Sequence, residues 1–338
     1  MSALRQSIYA VKRGLRAFLN ASDDDQSQKL RQAEEQLERQ KERISRQSRE
    51  LQELRQRLLE SIHGTEHHII RPENIVWIFG TARTGSTWLA FMMEELEDHT
   101  VWREPYVGEL FGRLYYDWVG VKHFQTKHFI LGSNKGSWLR SVRSFVLKEA
   151  SARFPGVASG GYLVIKEPNG SIGAPLLIEA LPESRMIFLV RDPRDVVASW
   201  MDALKEGGWR AERRKDGESP SAIVDERARM YLESMREAKK AYDSHEGCKV
   251  LVRYEELRAD TLGTMRRICS VLEIPVDEGE LGRAVKEHSW ENIPEEKKGE
   301  GKFYRKATPG GWREDLTPDQ VKIVERITAP LLEELYPS

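Results

Sequence analysis

The stretch IVWIFGTARTGSTWL, residues 75–89, constrains the fold more than any other part of the chain. Its first five residues are typical of a buried strand, and they run directly into the spacing G-x-x-x-x-G-S-T. A strand, a glycine-rich loop and a helix start in this order bind phosphate groups through backbone amides. The lysine of a nucleotide-triphosphate loop is missing, because Ser86 stands in its place. The stretch therefore indicates a phosphate-binding loop but leaves open which phosphate compound it holds.

The side chains of this loop add to its affinity for anions. Glycines at both ends let the backbone turn tightly, so that the amides between them can point at one bound group. Two hydroxyl groups and an arginine supply further donors and a fixed positive charge. The candidate anion-binding residues of the loop are Arg83, Thr84, Gly85, Ser86 and Thr87.

Three further apolar segments predict buried strands, and helical patterns separate them. They are GYLVIKEP (161–168), SRMIFLVRDP (184–193) and CKVLVRYEEL (248–257). Strands that alternate with helices predict an α/β fold with three layers, in which helices cover both faces of a mainly parallel sheet. Polar residues that follow the strands should then converge at the carboxyl edge of the sheet, where ligands bind. We expect this P-loop-like domain to span residues 70–338.

The residues before this domain follow two other patterns. Residues 1–25 begin with a basic amphipathic helix, at 1–20, which suits an anionic membrane surface or, alternatively, packing on a protein. Residues 26–64 predict a long coiled-coil helix that forms a homo-oligomer through residues 26–62, the alternative being a solvated helix that folds back on the domain. Its apolar seam repeats every seven residues at Leu30, Leu37, Ile44, Leu51 and Leu58.

Charge and cysteine content restrict the function and the compartment. Lys and Arg number 53 against 54 Asp and Glu, so no global field favours nucleic acid. Cys248 and Cys269 are too few for a disulfide framework and fit a reducing compartment. Neither a bilayer-spanning run nor the apolar core of a signal peptide is present. We expect a cytoplasmic protein, with peripheral contact at the inner membrane surface through the first helix as an option.

Two later segments also carry groups that bind anions. RDPRDVVASW (191–200) places Arg191 and Ser199 eight residues apart, so that a loop and a first helical turn could bring both onto one phosphate. Its aspartates could instead form an ion-pair network with its arginines. GKFYRKATPGGWREDLT (301–317) suggests an ordered loop around an anion or, alternatively, a solvated basic loop.

Taken together, the three segments resemble one family, the sulfotransferases that use 3′-phosphoadenosine 5′-phosphosulfate (PAPS). RTGSTW (83–88) is similar to the family loop for the 5′-phosphosulfate, and Arg191 with Ser199 to its pair for the 3′-phosphate. RKATPGGWR (305–313) resembles the C-terminal signature, except that Ala307 replaces its first glycine. The resemblance implies transfer of a sulfuryl group to an acceptor hydroxyl, with release of adenosine 3′,5′-bisphosphate (PAP).

The resemblance also implies a role for each matching residue. The loop amides with Arg83, Ser86 and Thr87 would hold the 5′-phosphate and sulfuryl oxygens, and Trp88 and Tyr254 would lie at the adenine. Lys166 would stabilise charge on the leaving phosphate together with Arg83. No metal is needed, since cationic side chains do the work that magnesium does in kinases. The 3′-phosphate would be bound by Arg191, Ser199, Arg305 and Lys306.

A glutamate is the expected general base. The histidine that one branch of the family carries in a K-T-H segment is absent, because the chain reads Lys166, Glu167, Pro168 there. Glu104 in WREPY lies 21 residues beyond Arg83, a spacing similar to that of the protein-tyrosine branch. Glu104 is therefore the first candidate, and Glu167 is the second. Five of the chain's eight histidines show no spacing typical of metal ligands: His63, His67, His68, His123 and His128.

The acceptor is expected to be a carbohydrate or a glycolipid. Acceptor pockets of the family are built from variable loops, here residues 105–145 and 201–222, and the first is rich in aromatic and basic residues. Two other functions remain as alternatives, a P-loop kinase-like phosphotransferase and a coiled-coil scaffold that only binds nucleotide. The residues that favour a sugar are Tyr106, Phe111, Tyr115, Tyr116, Trp118, Lys122, Lys127, Trp138 and Arg140.

Overall fold

The chain divides into two compact units, Met1–Glu66 and His67–Ser338. The described residues of the first unit are helical and exposed, but the coiled coil and the basic segment fall largely outside them and stay predictions. The computed structural model describes residues 32–33, 36–44 and 46–47 of the first unit and residues 70–119, 132, 134–215 and 217–336 of the second.

A parallel sheet lies at the centre of the second unit, as the alternation of strands and helices predicts. Among the described residues it has five strands in the order β2-β3-β1-β4-β5, and every neighbouring pair is parallel. Their carboxyl ends therefore share one edge, and the α/β fold class is confirmed. The strands are β1 (Ile75–Phe79), β2 (His99–Arg103), β3 (Tyr162–Lys166), β4 (Arg185–Val190) and β5 (Lys249–Arg253).

The central strand β1 is buried on both faces, which explains its continuous apolar sequence. Trp77 and Phe79 pack into the core on one face, whereas Val76 and Ile78 pack into the core on the other. The indole Nε1 of Trp77 donates a hydrogen bond to Ser184 Oγ at 3.0 Å, so the polar atom of this buried ring is satisfied. The loop predicted to bind phosphate thus starts from a central strand that is buried on both faces.

Helices cover both faces and complete three layers. Residues of α3, α4 and α6 line the core that contains Trp77, and residues of α1, α8 and α9 line the opposite core. The described helices are α1 (Ser86–Glu94), α2 (Leu114–Val119), α3 (Lys135–Arg153), α4 (Ala174–Ala180), α5 (Pro193–Leu204), α6 (Pro220–Ser244), α7 (Tyr254–Ala259), α8 (Thr261–Val271), α9 (Glu278–Glu287), α10 (Trp312–Asp315) and α11 (Pro318–Leu335).

Two local features differ from the sequence pattern. The edge strand β2 is not predicted, because only Val101 of its five residues is buried and its sequence, HTVWR, therefore lacks an apolar run. The sequence after the loop predicts a helix from Gly85 to about Glu97, whereas α1 ends at Glu94. Both cysteines are free thiols, Cys269 buried and Cys248 half-buried. None of the helices in the described part of the chain is long and apolar enough to cross a membrane.

Candidate active site

A cavity of about 510 Å³ lies at the carboxyl edge of the sheet. Its walls come from the loops that follow β1, β2, β3, β4 and β5 and from the segment before α10. Of the predicted site residues, Thr84 and Glu167 do not line it. Those that do are Arg83, Gly85, Ser86, Thr87, Trp88, Glu104, Lys166, Arg191, Ser199, Tyr254, Arg305 and Lys306.

The loop after β1 has the geometry of an anion-binding turn. Gly85 caps helix α1 with φ +91°, and a Cβ at this position would lie 2.6 Å from the ring of Tyr254, so only glycine fits. Ser86 and Thr87 follow in the first turn of the helix, where free amides and the helix dipole favour negative charge. Thr84 is buried, and its hydroxyl donates to the carbonyl of Thr81 at 2.8 Å, which closes the loop.

Arg191 and Ser199 reach this loop from the segment after β4. Arg191 donates from a terminal guanidinium nitrogen to the carbonyl of Arg83 at 2.9 Å, and its guanidinium lies 4.2 Å from the ring centre of Tyr254. The Nε atom of Arg191 is buried and has no hydrogen-bond partner among the described residues. A buried cationic donor of this kind is satisfied well by an anionic ligand.

The guanidinium of Arg83 lies with this second group rather than over the start of helix α1. Its Nε donates to Ser199 Oγ at 2.9 Å, and a terminal nitrogen donates to the carbonyl of Phe303 at 2.9 Å. Burial, together with the charges of Arg191 and Arg305, lowers the pKa of Arg83 to about 10. Three guanidinium groups this close together carry an excess of positive charge, which suits a dianion.

The C-terminal basic pair is partly neutralised by acidic neighbours. Arg305 donates to the carbonyl of Ala198 at 3.1 Å and to Asp315 at 2.5 Å. Lys306 bonds Asp315 at 3.0 Å and Glu314 at 3.1 Å, and these carboxylates raise its pKa. Arg305 therefore faces the cluster around Arg83 more directly, while Lys306 is the weaker candidate of the two.

The aspartates of the segment after β4 fix the structure around the cluster. Asp192 caps α5 and pairs with Arg194 at 2.7 Å, as the ion-pair alternative requires. Asp195 is fully buried and accepts hydrogen bonds from the amides of Gly310 at 2.7 Å and Trp312 at 3.0 Å. The ion-pair alternative thus holds for Asp192, while Asp195 instead holds the C-terminal loop in place. Arg191 lines the cavity, and its contact with a phosphate stays a prediction.

Aromatic rings form one end of the cavity. Trp88 donates from Nε1 to the carbonyl of His288 at 2.7 Å and meets Tyr254 edge-on, with 6.3 Å between the ring centres. The guanidinium of Arg258 lies 5.3 Å from the ring centre of Trp88. Trp290 lines the same cavity. These flat surfaces suit a planar heterocycle such as a nucleobase.

Glu104, Lys166 and Thr87 converge at one point of the cavity. Lys166 ends β3 and is only 3% exposed, yet its Nζ contacts a carboxylate oxygen of Glu104 and lies 3.4 Å from the hydroxyl of Thr87. Glu104 follows β2 and is partly exposed to the cavity, so a substrate hydroxyl can approach it. A carboxylate and an ammonium group in contact at a phosphate-binding loop can take a proton and stabilise charge at neighbouring atoms.

Glu167, the second candidate base, has a different environment. It is 1% exposed and accepts hydrogen bonds from the amides of Tyr106 at 3.1 Å and Gly108 at 3.3 Å. Burial raises its pKa to about 8, although these two amides act in the opposite direction. Its carboxylate therefore contacts the chain below the cavity wall rather than the cavity itself.

Strained backbone concentrates at the cavity. Among the described residues, six that are not glycine have positive φ, and four of them line the cavity. Residues other than glycine rarely adopt this backbone conformation, and such strain is typical of functional sites. One of the four is Ala307, which occupies the position where the resembling family has glycine. The four are Arg83 (φ 74°), Glu104 (φ 50°), Tyr106 (φ 59°) and Ala307 (φ 51°).

Several cavity residues carry no recognisable motif. The glycine- and charge-rich loop after α5 contributes an aromatic ring and two arginines, and Trp209 in it bonds the carbonyl of Gly301 at 3.1 Å. The sequence GGWRAER, in which a tryptophan follows two glycines and precedes two arginines, is the signal that could have indicated a binding role for this loop. The residues not predicted as site residues include Phe91, Arg103, Trp209, Arg210, Arg213, Arg258, His288, Trp290, Phe303 and Tyr304.

The aromatic residues expected to bind the acceptor have mostly another role. Trp138 is fully buried, and Tyr115 packs against it with 5.3 Å between the ring centres. Among the members of that set whose side chains the structure describes, Tyr106 alone lines the cavity. Lys122 and Lys127, like the five histidines named above, lie outside the described residues. Within the described part of the chain, no group of three or more His, Cys, Asp or Glu side chains could hold a metal ion.

The chain matches one protein family and resembles several solved structures. Residues 73–336 match a family model described as a sulfotransferase domain. A similar solved structure is mouse sulfotransferase SULT7A1 complexed with PAP, which is 14% identical, covers 81% of this chain and 89% of its own, and has a TM-score of 0.52. Sulfotransferase STF9 from Mycobacterium avium is 15% identical over 78% of this chain and 77% of its own, with a TM-score of 0.47. No curated protein matches the chain significantly.

Proposed function

The chain belongs to the sulfotransferase family, and we propose that it transfers a sulfuryl group from PAPS to a hydroxyl group of a carbohydrate or glycolipid, with release of PAP. The observation that carries the proposal is that one cavity combines three parts. These are an anion-binding loop, a separate arginine cluster and a carboxylate–lysine pair.

Two separate anion sites support PAPS over ATP. The amides and hydroxyls at the start of α1 are suited to the 5′-phosphosulfate, and the cluster of Arg83, Arg191 and Arg305 to the 3′-phosphate. The buried unpartnered Nε of Arg191 would donate to that phosphate. A charge-assisted hydrogen bond to a buried dianion is among the stronger polar contacts in proteins. Trp88, with the neighbouring rings, would bind the adenine.

In the proposed reaction Glu104 takes the proton of the acceptor hydroxyl while the oxygen of that hydroxyl bonds to the sulfur atom. The bond between sulfur and the 5′-phosphate oxygen breaks, and both electrons of that bond leave with PAP. Lys166 and Thr87, which lie beside Glu104, would stabilise the charge that develops on the oxygens at the sulfur and the leaving phosphate.

A sugar acceptor is supported by polar and cationic side chains that line the cavity. Asn169 and Tyr106 are among them, and the side-chain amide of Asn169 lies 3.4 Å from the Tyr106 hydroxyl. Arg210 and Arg213 have no acidic partner among the described residues, and the Nε of Arg210 is buried without a hydrogen bond. Aromatic rings and arginines of this kind suit a sugar that carries a carboxylate or sulfate group.

Calorimetry with PAP and with ATP tests the nucleotide part. We expect PAP to bind in the micromolar range or tighter and magnesium-ATP to bind more weakly, because ATP has no 3′-phosphate for the arginine cluster. Tight binding of ATP without measurable binding of PAP would overturn the proposal. Binding of PAP without transfer to any acceptor would instead favour a nucleotide-binding scaffold.

A matched acceptor panel tests the acceptor part. Transfer from labelled PAPS is measured with 4-nitrophenyl β-D-glucoside, 4-nitrophenyl β-D-glucuronide, a neutral glycolipid and a sugar-free phenol. We expect a sugar hydroxyl to be sulfated, and the glucuronide to be preferred over the glucoside, with the preference lost in Arg210→Ala. Turnover confined to the phenol would contradict a carbohydrate acceptor while leaving the sulfotransferase reaction intact.

A further inference from the structure

The turn that presents Glu104 has an unfavourable backbone conformation. Glu104 and Tyr106 have φ values of 50° and 59°, in the left-handed region that residues other than glycine rarely adopt. One bond from within the sheet fixes the start of the turn, since the amide of Glu104 donates to the carbonyl of Lys166 at 2.8 Å. The rest of the turn needs another support, because strained conformations persist only where the surroundings impose them.

The carboxylate of Glu167 supplies that support. One of its oxygens accepts from the amide of Tyr106 at 3.1 Å and the other from the amide of Gly108 at 3.3 Å. Both amides belong to the chain immediately after Glu104, and both are held by a single rigid, buried side chain. Glu167 thus bonds the two amides that fix the direction in which the turn leaves the sheet.

Glu167 is itself anchored to the centre of the sheet. Its amide donates to the carbonyl of Ile78 in β1 at 3.0 Å, and its carbonyl accepts from Ser171 Oγ at 3.2 Å. Close packing fixes the side chain, since a Cβ added to Gly170 would lie 1.8 Å from Glu167 Oε1. The hydroxyl of Ser171 also accepts from the amide of Gly80 at 3.0 Å, so this segment supports the phosphate-binding loop as well.

Two successive residues at the end of β3, Lys166 and Glu167, therefore hold Glu104 from two sides. Lys166 contacts the carboxylate of Glu104 from the cavity, and Glu167 bonds the backbone beneath it. We propose that Glu167 is a positioning residue that holds the general base Glu104 against Lys166 and the acceptor hydroxyl, and that it does not exchange protons with the acceptor. This assignment rests on the proposed sulfotransferase reaction and on Glu104 as its base.

A double-mutant cycle tests the assignment. Glu167→Gln keeps the shape of the side chain but replaces one acceptor oxygen by an NH₂ group, so one of the two amides loses its partner. We expect kcat for PAP release from PAPS, with the acceptor panel above, to fall about 10- to 100-fold, as for displaced catalytic groups. The Kd for PAP, measured by calorimetry, stays within about twofold, because none of the nucleotide contacts changes.

The second arm of the cycle uses Glu104→Gln as its background. If Glu167 acts only through Glu104, adding Glu167→Gln to Glu104→Gln lowers the remaining rate by less than about twofold. Equal fold losses in both backgrounds overturn the assignment, and so does loss of activity in Glu167→Gln with turnover retained in Glu104→Gln, which makes Glu167 the base. Absence of PAP binding in the unmodified protein refutes the proposed function instead, so the two failures are distinguishable.

Asp277→Ala is the matched control for a lost acceptor of backbone amides. Asp277 accepts from the amides of Gly279 at 2.9 Å and Glu280 at 3.1 Å, at the start of α9 and away from the cavity. We expect this variant to lower the melting temperature while leaving kcat within about twofold of the unmodified protein. If Asp277→Ala reduces kcat as much as Glu167→Gln does, the effect of Glu167 is one of general stability and the assignment is wrong.

Discussion

The loop after β1 and the turn after β2 leave the same edge of the sheet and face the same cavity, but different parts of the chain fix their shapes. The first depends mostly on local chemistry, since Gly85 takes a left-handed conformation without strain and the helix α1 begins at once. Arg83 in this loop also has a positive φ, and a bond from the amide of Gly80 to Ser171 adds support from elsewhere in the chain. In the second, Glu104 and Tyr106 take similar conformations with strain, and Glu167 from a distant part of the sequence supports them.

This difference means that nucleotide binding and turnover depend on different parts of the chain. A loop that binds phosphate through its backbone depends little on the identity of its side chains. The turn that carries the proposed base places one carboxylate beside one ammonium group, and its support lies elsewhere in the chain. Substitutions in the two regions should therefore have separable effects, on nucleotide affinity in one case and on turnover in the other.

The largest expected effect is at the turn. Glu104→Gln removes the proton acceptor while keeping the shape of the side chain, and we expect kcat to fall about 10²- to 10⁴-fold, the usual contribution of a general base. PAP affinity measured by calorimetry should not change. Glu183→Gln, in an exposed pair with Arg143, is the control and should retain full turnover. Retained turnover in Glu104→Gln would assign the base elsewhere.

The next effect belongs to the loop and its arginine cluster. Arg191→Ala should weaken PAP about 10- to 100-fold, because a charge-assisted hydrogen bond contributes roughly 1.5–3 kcal/mol. Adenosine 5′-phosphosulfate, which lacks the 3′-phosphate, should bind the variant almost as well as the unmodified protein. Arg194→Gln, in the same segment but paired with Asp192 and Glu325, is the control. An equal loss for both nucleotides would mean that Arg191 does not contact the 3′-phosphate.

The two regions also differ in how far the sequence predicts them. The spacing of Gly80 and Gly85 after an apolar strand suffices for the first, because glycine and helix starts act locally. Glu104 is indicated only through family resemblance. Its support by Glu167 depends on strand order, since β2 and β3 become neighbours only in the folded sheet. For the same reason the sequence does not predict that Trp209 lines the cavity. Its amide bonds the carbonyl of Gly301, which is far away in the sequence.

The pH dependence of stability provides a third test of the turn. Glu167 has its pKa raised from an ordinary value of 4.5 to about 8, chiefly by burial, with Glu104 raising it further and Lys166 lowering it. The folded state thus binds this proton more tightly than the unfolded chain does. The stability that Glu167 contributes is complete below about pH 4.5 and is lost as the pH rises to about 8.

Thermal unfolding from pH 5 to pH 9 should reveal this proton in a comparison with Glu167→Gln. The advantage of the unmodified protein over the variant in melting temperature should shrink as the pH rises, because the glutamine does not titrate. Most of the change should occur below about pH 8, where the carboxyl still binds its proton in the folded state. A constant difference across the range would mean that Glu167 is ionised in the folded protein at all these pH values.

The smallest expected effect concerns the strain that the two regions manage differently. Ala307 has φ 51° in the loop that carries Arg305, so Ala307→Gly should relieve strain and stabilise the protein by up to about 1 kcal/mol. Glu273→Gly, at φ 53° and outside the cavity, is the control and should stabilise to a similar extent. If the strain at Ala307 serves binding, Ala307→Gly should also lower the affinity for PAP, whereas Glu273→Gly should not. Destabilisation by both variants would show that neither position is strained enough to outweigh the freedom that glycine adds to the unfolded chain.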